Sequence, residues 1–149
     1  MTAACVSVVA CLSTSPTATA DPTDNDKLFA ELSGGYTPAD CKAGKQYPED
    51  PFLARLGCGR NTRPGGPNAA TYSLYGSVAD LNKTFDLYGP SIPCSGPTDW
   101  PGGRVKCGHG LYPQQSQSML TWTKDADLVV VNAEGPDIAS LYAWWLSAR

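Results

Sequence analysis

The residue best suited to acid–base chemistry is His109, which is the only histidine in the chain. Catalysis by a general base or a nucleophile needs that base held beside a reactive group, commonly with a third group orienting it. His109 lies between Gly108 and Gly110, whose mobile backbone is a poor mount for such a group. The sequence also lacks a Gly-x-Ser-x-Gly nucleophile motif. We assign no catalytic residue and predict that the protein is not an enzyme.

Four acidic side chains in the last quarter of the chain could supply the carboxylate pair of a glycoside hydrolase, which needs a separation of about 5 to 10 Å. They are Asp125, Asp127, Glu134 and Asp137. Their sequence context favours turns and helix caps instead; Asp137, for example, follows a Gly-Pro helix entry. A small cell-envelope hydrolase is kept as an alternative function, and a pocket joining two carboxylates would support it.

The sequence contains more side chains suited to ligand binding than to catalysis. Arg55, Arg60 and Arg63 surround Cys58 and form a basic patch where an anion or a cell-envelope polymer could dock. Trp100, in the Pro- and Gly-rich segment 98–103, is the tryptophan we expect to be exposed for stacking, whereas Trp122 and Trp145 are expected in the core. These arginines and Trp100 are the predicted ligand-binding residues. A further alternative is a secreted protein-interaction domain that binds another protein through the Trp100 loop or an exposed sheet edge, for which a contiguous apolar patch would be evidence.

Six cysteines suggest the compartment. Two of them, Cys5 and Cys11, fall in an uncharged N-terminal stretch, and an even set of four remains: Cys41, Cys58, Cys94 and Cys107. In an exported chain such a set indicates disulfides. Of three possible pairings we favour Cys41–Cys58 and Cys94–Cys107, since both close short loops, each worth about 3 kcal/mol in the chain-entropy model. One histidine and no Cys-x-x-Cys pair predict no metal site, and no cofactor is expected.

Residues 1–20 carry no charge, and residues 18–20 (ATA) precede Asp21 as a signal-peptidase site would. Residues 8–11 (VVAC) also resemble a lipobox with Cys11 as the acylated residue, and a truncated membrane anchor is the third possibility. All three deliver residues 21–149 outside the cytoplasm as a single extracytoplasmic domain. The partner expected is an unknown cell-envelope ligand or protein, with membrane anchoring through the N-terminus only.

Composition limits the function further. The net charge is −3, whereas a nucleic-acid-binding domain is usually basic, so no nucleic-acid partner is expected. Fifteen glycines and 13 prolines indicate many turns.

The periodicity of apolar residues predicts the elements that position these side chains. Helices are expected from Thr23 up to Gly34-Gly35, from Ser77 to the stop at Gly89-Pro90, and after Asp137. Strands are expected at 70–75, 104–107, 118–123 and 127–132, and loops over most of 36–67 and 93–103. The fold class predicted is α+β: a small antiparallel sheet with helices on one face and two local disulfides.

A set of short segments carries a family resemblance. They are residues 56–59 (LGCG), 61–62 (NT), 64–67 (PGGP), 70–75 (ATYSLY), 105–108 (VKCG), 120–123 (LTWT), 126–128 (ADL), 135–137 (GPD) and 141–145 (LYAWW). Together they resemble a mycobacterial extracytoplasmic domain found at the C-terminus of some receptor-like serine/threonine protein kinases and in stand-alone secreted or lipoprotein relatives. The resemblance spans roughly residues 30–147. It implies a sensor-like or binding module of the cell envelope, without assigning a ligand or a catalytic residue. The kinase motifs His-Arg-Asp and Asp-Phe-Gly are absent.

The processing of the N-terminus can be tested on native protein by intact-mass analysis. Cleavage after Ala20 predicts a secreted protein that begins at Asp21. A diacylglyceryl mass on Cys11 would replace cleavage with lipidation, and a cytoplasmic protein that keeps residues 1–20 would contradict both.

Overall fold

The computed structural model describes residues 21–88, 91–110 and 117–149. The signal-peptide, lipobox and anchor predictions for residues 1–20, and the predicted helix stop at Gly89-Pro90, lie outside these residues. Three helices are described: α1 Pro22–Ala30, α2 Val78–Leu87 and α3 Ile138–Ala148. Strands are β1 Cys41–Ala43, β2 Phe52–Cys58, β3 Ala69–Tyr75, β4 Ser91–Ile92, β5 Asp99–Trp100, β6 Gly103–His109, β7 Ser118–Lys124 and β8 Val129–Gly135.

The strands form an antiparallel sheet in the order β1-β2-β3-β8-β7-β6-β4, and β5 pairs with β6 as a short ribbon. Every pairing is antiparallel, and the central strand β8 lies between β3 and β7. The α+β class and the antiparallel sheet predicted from the sequence are confirmed.

The main core lies between one face of this sheet and the helices α1 and α3. Leu28 of α1 and Leu141, Trp144 and Trp145 of α3 are each at most 2% exposed. They pack on alternate residues of β2, β3, β8, β7 and β6, because successive strand residues point to opposite faces. The expectation that Trp122 and Trp145 belong to the core is confirmed.

Helix α2 packs on the opposite face of the sheet, so the expectation of helices on one face holds for α1 and α3 but not for α2. Its Leu81 joins Phe52, Tyr75 and Val130 in a second, smaller cluster. Val130 lies between Val129 and Val131, which belong to the main core. The central strand is thus apolar on both faces, as the run of valines predicted.

The predicted helix starts are correct for α2 and α3. Ser77 accepts a hydrogen bond from the Asp80 N–H (3.1 Å), and Asp137 accepts one from the Ser140 N–H (2.7 Å). Helix α1 is capped by Asp21 rather than Thr23, since the Asp21 carboxylate accepts the Thr23 N–H (3.0 Å).

Three segments differ from the prediction, one of them 93–103, which was predicted as a loop and contains the two-residue strand β5. Residues 36–67 contain the seven-residue strand β2, in which Ala54, Leu56 and Cys58 are buried and the residues between them are more exposed. Strand β8 begins at Val129 rather than at residue 127, because a 3₁₀ turn occupies Asp125–Asp127. Leu128 then adopts a left-handed conformation (φ 55°) that no strand residue has.

Both predicted disulfides are present. Cys41 and Cys58 bond across directly paired positions of β1 and β2 (S–S 2.03 Å), and Cys94 of the loop after β4 bonds to Cys107 of β6 (2.04 Å). Such bonds are typical of proteins outside the reducing cytoplasm. Among the helices described, none has the length and hydropathy needed to cross a membrane.

The turn after α1 is fixed by Gly34, which has a left-handed conformation (φ +68°) and is buried. A methyl group on Gly34 would come within 2.3 Å of the Trp144 ring. Its carbonyl oxygen accepts hydrogen bonds from Trp144 Nε1 (3.2 Å) and Asn61 Nδ2 (3.1 Å). A side chain at residue 34 is therefore incompatible with the position of α3.

We expect Gly34→Ala to lower the free energy of unfolding by about 2 to 5 kcal/mol, the sum of a left-handed alanine and an overpacked core. Urea denaturation followed by tryptophan fluorescence measures the loss. The matched control is Gly57→Ala on β2, where a methyl group would meet nothing within 4 Å. Equal stability of the two variants would contradict this account of Gly34.

Candidate functional site

A groove of about 540 Å³ lies between the loop that follows β2 and the start of α3. We call it the arginine groove. The groove is bordered by two prolines and by polar side chains, among them Arg60, Thr62, Arg63, Asn68 and Ser140. Its size is in the range of small-molecule sites, about 300 to 1,000 Å³.

The loop 59–68 holds its shape through its own backbone. The Asn61 N–H donates to the Pro67 carbonyl (2.8 Å), which closes the loop at its base. Within it, the Gly66 N–H donates to the Arg63 carbonyl (3.0 Å) and forms a turn. Gly65 of that turn has φ +72°, a conformation that favours glycine.

The side chain of Asn61 anchors this loop to the core. Asn61 is only 6% exposed. Its Nδ2 donates to the Gly34 carbonyl (3.1 Å), and its Oδ1 accepts the backbone N–H of Arg63 (2.9 Å). A buried amide with both ends bonded fixes where the two arginines emerge.

The first residue of the loop is held as well. Gly59 follows the disulfide-bonded Cys58, and its N–H donates to the Asp40 carbonyl (3.1 Å). The Tyr36 hydroxyl donates to the Gly59 carbonyl (2.8 Å). Burial raises the pKa of the Tyr36 phenol above its usual value, so the group stays protonated and keeps donating.

The opposite wall is the first turn of α3. A methyl group on Gly65 would lie 3.2 Å from the Ser140 carbonyl, so the loop and the helix are in close contact. Asp137 caps the helix, and the hydrogen bond from the Ser140 N–H lowers the pKa of its carboxyl group. Both walls of the groove are thereby fixed relative to each other.

Positive charge in the groove is not neutralised. The ion pairs of the described residues are Lys27–Asp24 and Lys124–Glu31, so Arg60 and Arg63 form none there. No Asp or Glu is among the residues that line the groove. The stem of Arg63 lies against Gly35, where a methyl group would come within 2.4 Å of its Nε. The arrangement suits an anionic ligand.

The other two predicted ligand-binding residues lie elsewhere. Arg55, on β2, stacks its guanidinium over the Phe52 ring (4.1 Å to the centroid), and its Nε is 3.4 Å from Ser73 Oγ. Trp100, on β5, is half-buried and packs edge-on against Trp145 with ring centroids 5.9 Å apart. The structure brings together Arg60 and Arg63 but neither Arg55 nor Trp100 with them.

The residues considered for catalysis are dispersed. Asp125 and Asp127 lie in the 3₁₀ turn, Glu134 is on β8, and Asp137 caps α3. His109 is exposed at the end of β6. Across residues 21–88, 91–110 and 117–149, no three His, Cys, Asp or Glu side chains are grouped so as to hold a metal ion.

A second depression, of about 270 Å³, does contain two carboxylates. It is lined by Lys27, Ala30, Glu31, Leu74 and Asp127. The Glu31 carboxylate is bound by the ammonium group of Lys124, which also donates to the Glu31 carbonyl (3.0 Å). The pair Glu31 and Asp127 was not anticipated from the sequence, because Glu31 belongs to the end of α1, about 95 residues earlier.

Sequence reasoning found the arginines but missed the residues that position them. Asn61 was one detectable signal, because an Asn two residues before the backbone N–H that it binds is typical of an Asx turn. No sequence pattern indicated that Pro136 and Ser140 contribute to the groove, since only the packing of α3 brings them to residues 60–68.

We expect Asn61→Ala to destabilise the protein by about 1 to 3 kcal/mol, because it leaves the buried Gly34 carbonyl with one donor fewer and unties the loop. Thermal unfolding measures this loss. Asn68→Ala serves as the stability control, since Asn68 is exposed and its described hydrogen bond uses its backbone N–H. A melting temperature unchanged in Asn61→Ala would contradict the anchoring role.

No family model, no curated protein and no solved structure matches this chain at a significant level. The resemblance to a mycobacterial kinase-associated domain therefore stays a prediction, and the function has to be argued from the arginine groove itself.

Proposed function

We propose that this chain is a non-enzymatic sensor or binding module of the bacterial cell envelope and that the arginine groove binds its ligand. The observation that carries the proposal is the pair Arg60 and Arg63, which line a concave site without ion-pair partners among the described residues. Unpaired arginines in a concavity attract anions, and their planar guanidinium groups bind carboxylates or phosphates through two hydrogen bonds.

The charge distribution supports an anionic ligand. The chain as a whole carries a formal charge of −3, so a groove with two arginines and no lining carboxylate is a local exception. A cleft lined by one sign of charge raises the local concentration of counter-ions. The ligand that fits is an anion attached to an envelope component or released from one.

The rigidity of the loop favours binding. Ordering a flexible loop on association costs free energy, which a loop that is already ordered does not lose. Here Asn61, the Tyr36 hydroxyl and the Cys41–Cys58 disulfide hold residues 59–68 before any ligand arrives. A loop that is ordered before the ligand arrives is suited to a binding module.

The location proposed is outside the cytoplasm, either secreted or attached to the envelope through the N-terminus. The two disulfides support an oxidising compartment. The signal-like N-terminus and the resemblance to a mycobacterial kinase-associated domain add a secretion route and a sensing role.

The large apolar side chains exposed among the described residues are Tyr47, Leu53, Val78, Leu87 and Leu146, and none of them lines the groove.

The proposal is tested by titrating ¹⁵N-labelled protein with two small polyanions, citrate and pyrophosphate, at low salt. We expect amide shifts at residues 59–68 and 136–140 for at least one of them. Arg60→Gln and Arg63→Gln should each weaken that binding by about 1.5 to 3 kcal/mol, as for a charge-assisted hydrogen bond. Raising the salt concentration should weaken it too.

Lys83→Gln is the matched control, because Lys83 is an exposed cation on α2, outside the groove. It removes the same charge and should leave binding unchanged. Binding that falls equally in Lys83→Gln and Arg60→Gln would show a general charge effect, and no binding of either polyanion would refute the proposed site.

A further inference from the structure

The arginine groove offers several side-chain hydrogen-bond donors from residues 60–68. Arg60, Thr62 and Arg63 come from the loop, and Asn68 follows its closing turn. The described hydrogen bonds of Arg63 and Asn68 are made by their backbone groups and not by their side chains. Their side-chain donors, like the Arg60 guanidinium and the Thr62 hydroxyl, are therefore available to a ligand.

No carboxylate is among the residues that line the groove, and the carboxylate that follows Pro136 in sequence is already engaged. The Asp137 carboxylate accepts the Ser140 N–H at 2.7 Å and caps α3. The lining side chains carry a formal charge of +2 from Arg60 and Arg63. The complementary group has two negative charges, or close to two, and only acceptors.

A phosphoryl group meets these demands better than a carboxylate does. A phosphate monoester carries about −1.5 to −2 charges at neutral pH and three strong acceptor oxygens. A carboxylate has two oxygens in one plane and one charge. Donors supplied from residues 60, 62, 63 and 68 can be used together by an acceptor whose oxygens point in three directions.

The remaining wall of the groove indicates that the phosphoryl group is attached to an organic molecule. A volume of about 540 Å³ is that of a small-molecule site, far more than one phosphate ion fills. The rest of the wall includes Pro64, Gly65, Gly66 and Pro136, which bring no side-chain charge. Uncharged atoms of a sugar or glycerol moiety can contact these rings and this backbone.

We infer that the ligand of the arginine groove is a phosphate monoester, with the phosphoryl group bound by Arg60 and Arg63 and its organic part along Pro64 and Pro136. The inference rests on the proposed binding role and adds the chemical class of the ligand. The monoester could be a soluble molecule or the terminal phosphate of a lipid such as phosphatidic acid; both present about two charges and three acceptor oxygens.

Isothermal titration of the full, disulfide-bonded chain with sn-glycerol 3-phosphate and with succinate separates phosphoryl geometry from charge, since both probes are dianions near pH 7.5. We expect glycerol 3-phosphate to bind at least tenfold more tightly than succinate. Arg60→Gln and Arg63→Gln should each weaken it tenfold or more, and Lys83→Gln should not. Co-sedimentation with vesicles that contain phosphatidic acid, whose headgroup is a phosphate monoester, against phosphatidylcholine vesicles, tests the lipid source with the same variants.

Each outcome has a defined consequence. Vesicle binding lost in Arg60→Gln but kept in Lys83→Gln supports a lipid ester, and tight glycerol 3-phosphate binding without vesicle binding supports a soluble one. Succinate binding as tight as glycerol 3-phosphate overturns the phosphate inference while the anion-binding role stands. Failure of glycerol 3-phosphate, succinate and vesicles to bind overturns the inference, and failure of citrate and pyrophosphate as well overturns the proposed function.

Discussion

The carbonyl group of Gly34 joins three parts of the protein that are far apart in sequence. It accepts one hydrogen bond from Trp144 on α3 and another from Asn61 in the loop after β2, residues 110 and 27 positions away. All three residues are buried. Inside a protein, unmade hydrogen bonds at such a point are costly. The position of α3, the end of α1 and the shape of the arginine groove therefore depend on one backbone oxygen and on the absence of a side chain at residue 34.

The hydrophobic core and the proposed binding site are thus stabilised by the same residues. Tyr36 packs edge-on against Tyr72 and Trp144 in the core, while its hydroxyl holds the Gly59 carbonyl at the start of the loop. The Cys41–Cys58 disulfide fixes the neighbouring strands at the same end. A surface loop is usually more mobile than the elements it connects. The loop 59–68 is instead held in one conformation by its contacts with the core. Its two arginines therefore stay unpaired in the described structure, because the loop does not rearrange to bring them to a carboxylate.

Local patterns in the sequence predicted much of the fold. The caps Ser77 and Asp137 marked helix starts because their side chains bond to N–H groups three residues on, an interaction within one turn. The valines of β8 indicated a strand covered on both faces. Strand β2 was missed although Ala54, Leu56 and Cys58 alternate with polar or exposed positions. Prolines on both sides drew the prediction to a loop, yet a proline restricts only its own position and the one before it.

The fold class, the favoured disulfide pairing and the candidate arginines could be predicted without a structure, because each of these depends on composition or on residues close together along the chain. Which arginines share a site follows from the packing of distant elements. Arg55 and Arg60 are five residues apart, but Arg55 lies on β2 over Phe52 while Arg60 lies in the groove beyond the strand end. The second wall, Pro136 and Ser140, lies about 70 residues later in the sequence. The start of α3 is held beside the loop because Trp144 of the same helix packs against Gly34. Contacts of that range follow from how two helices bury their apolar faces on one sheet, which no local pattern encodes.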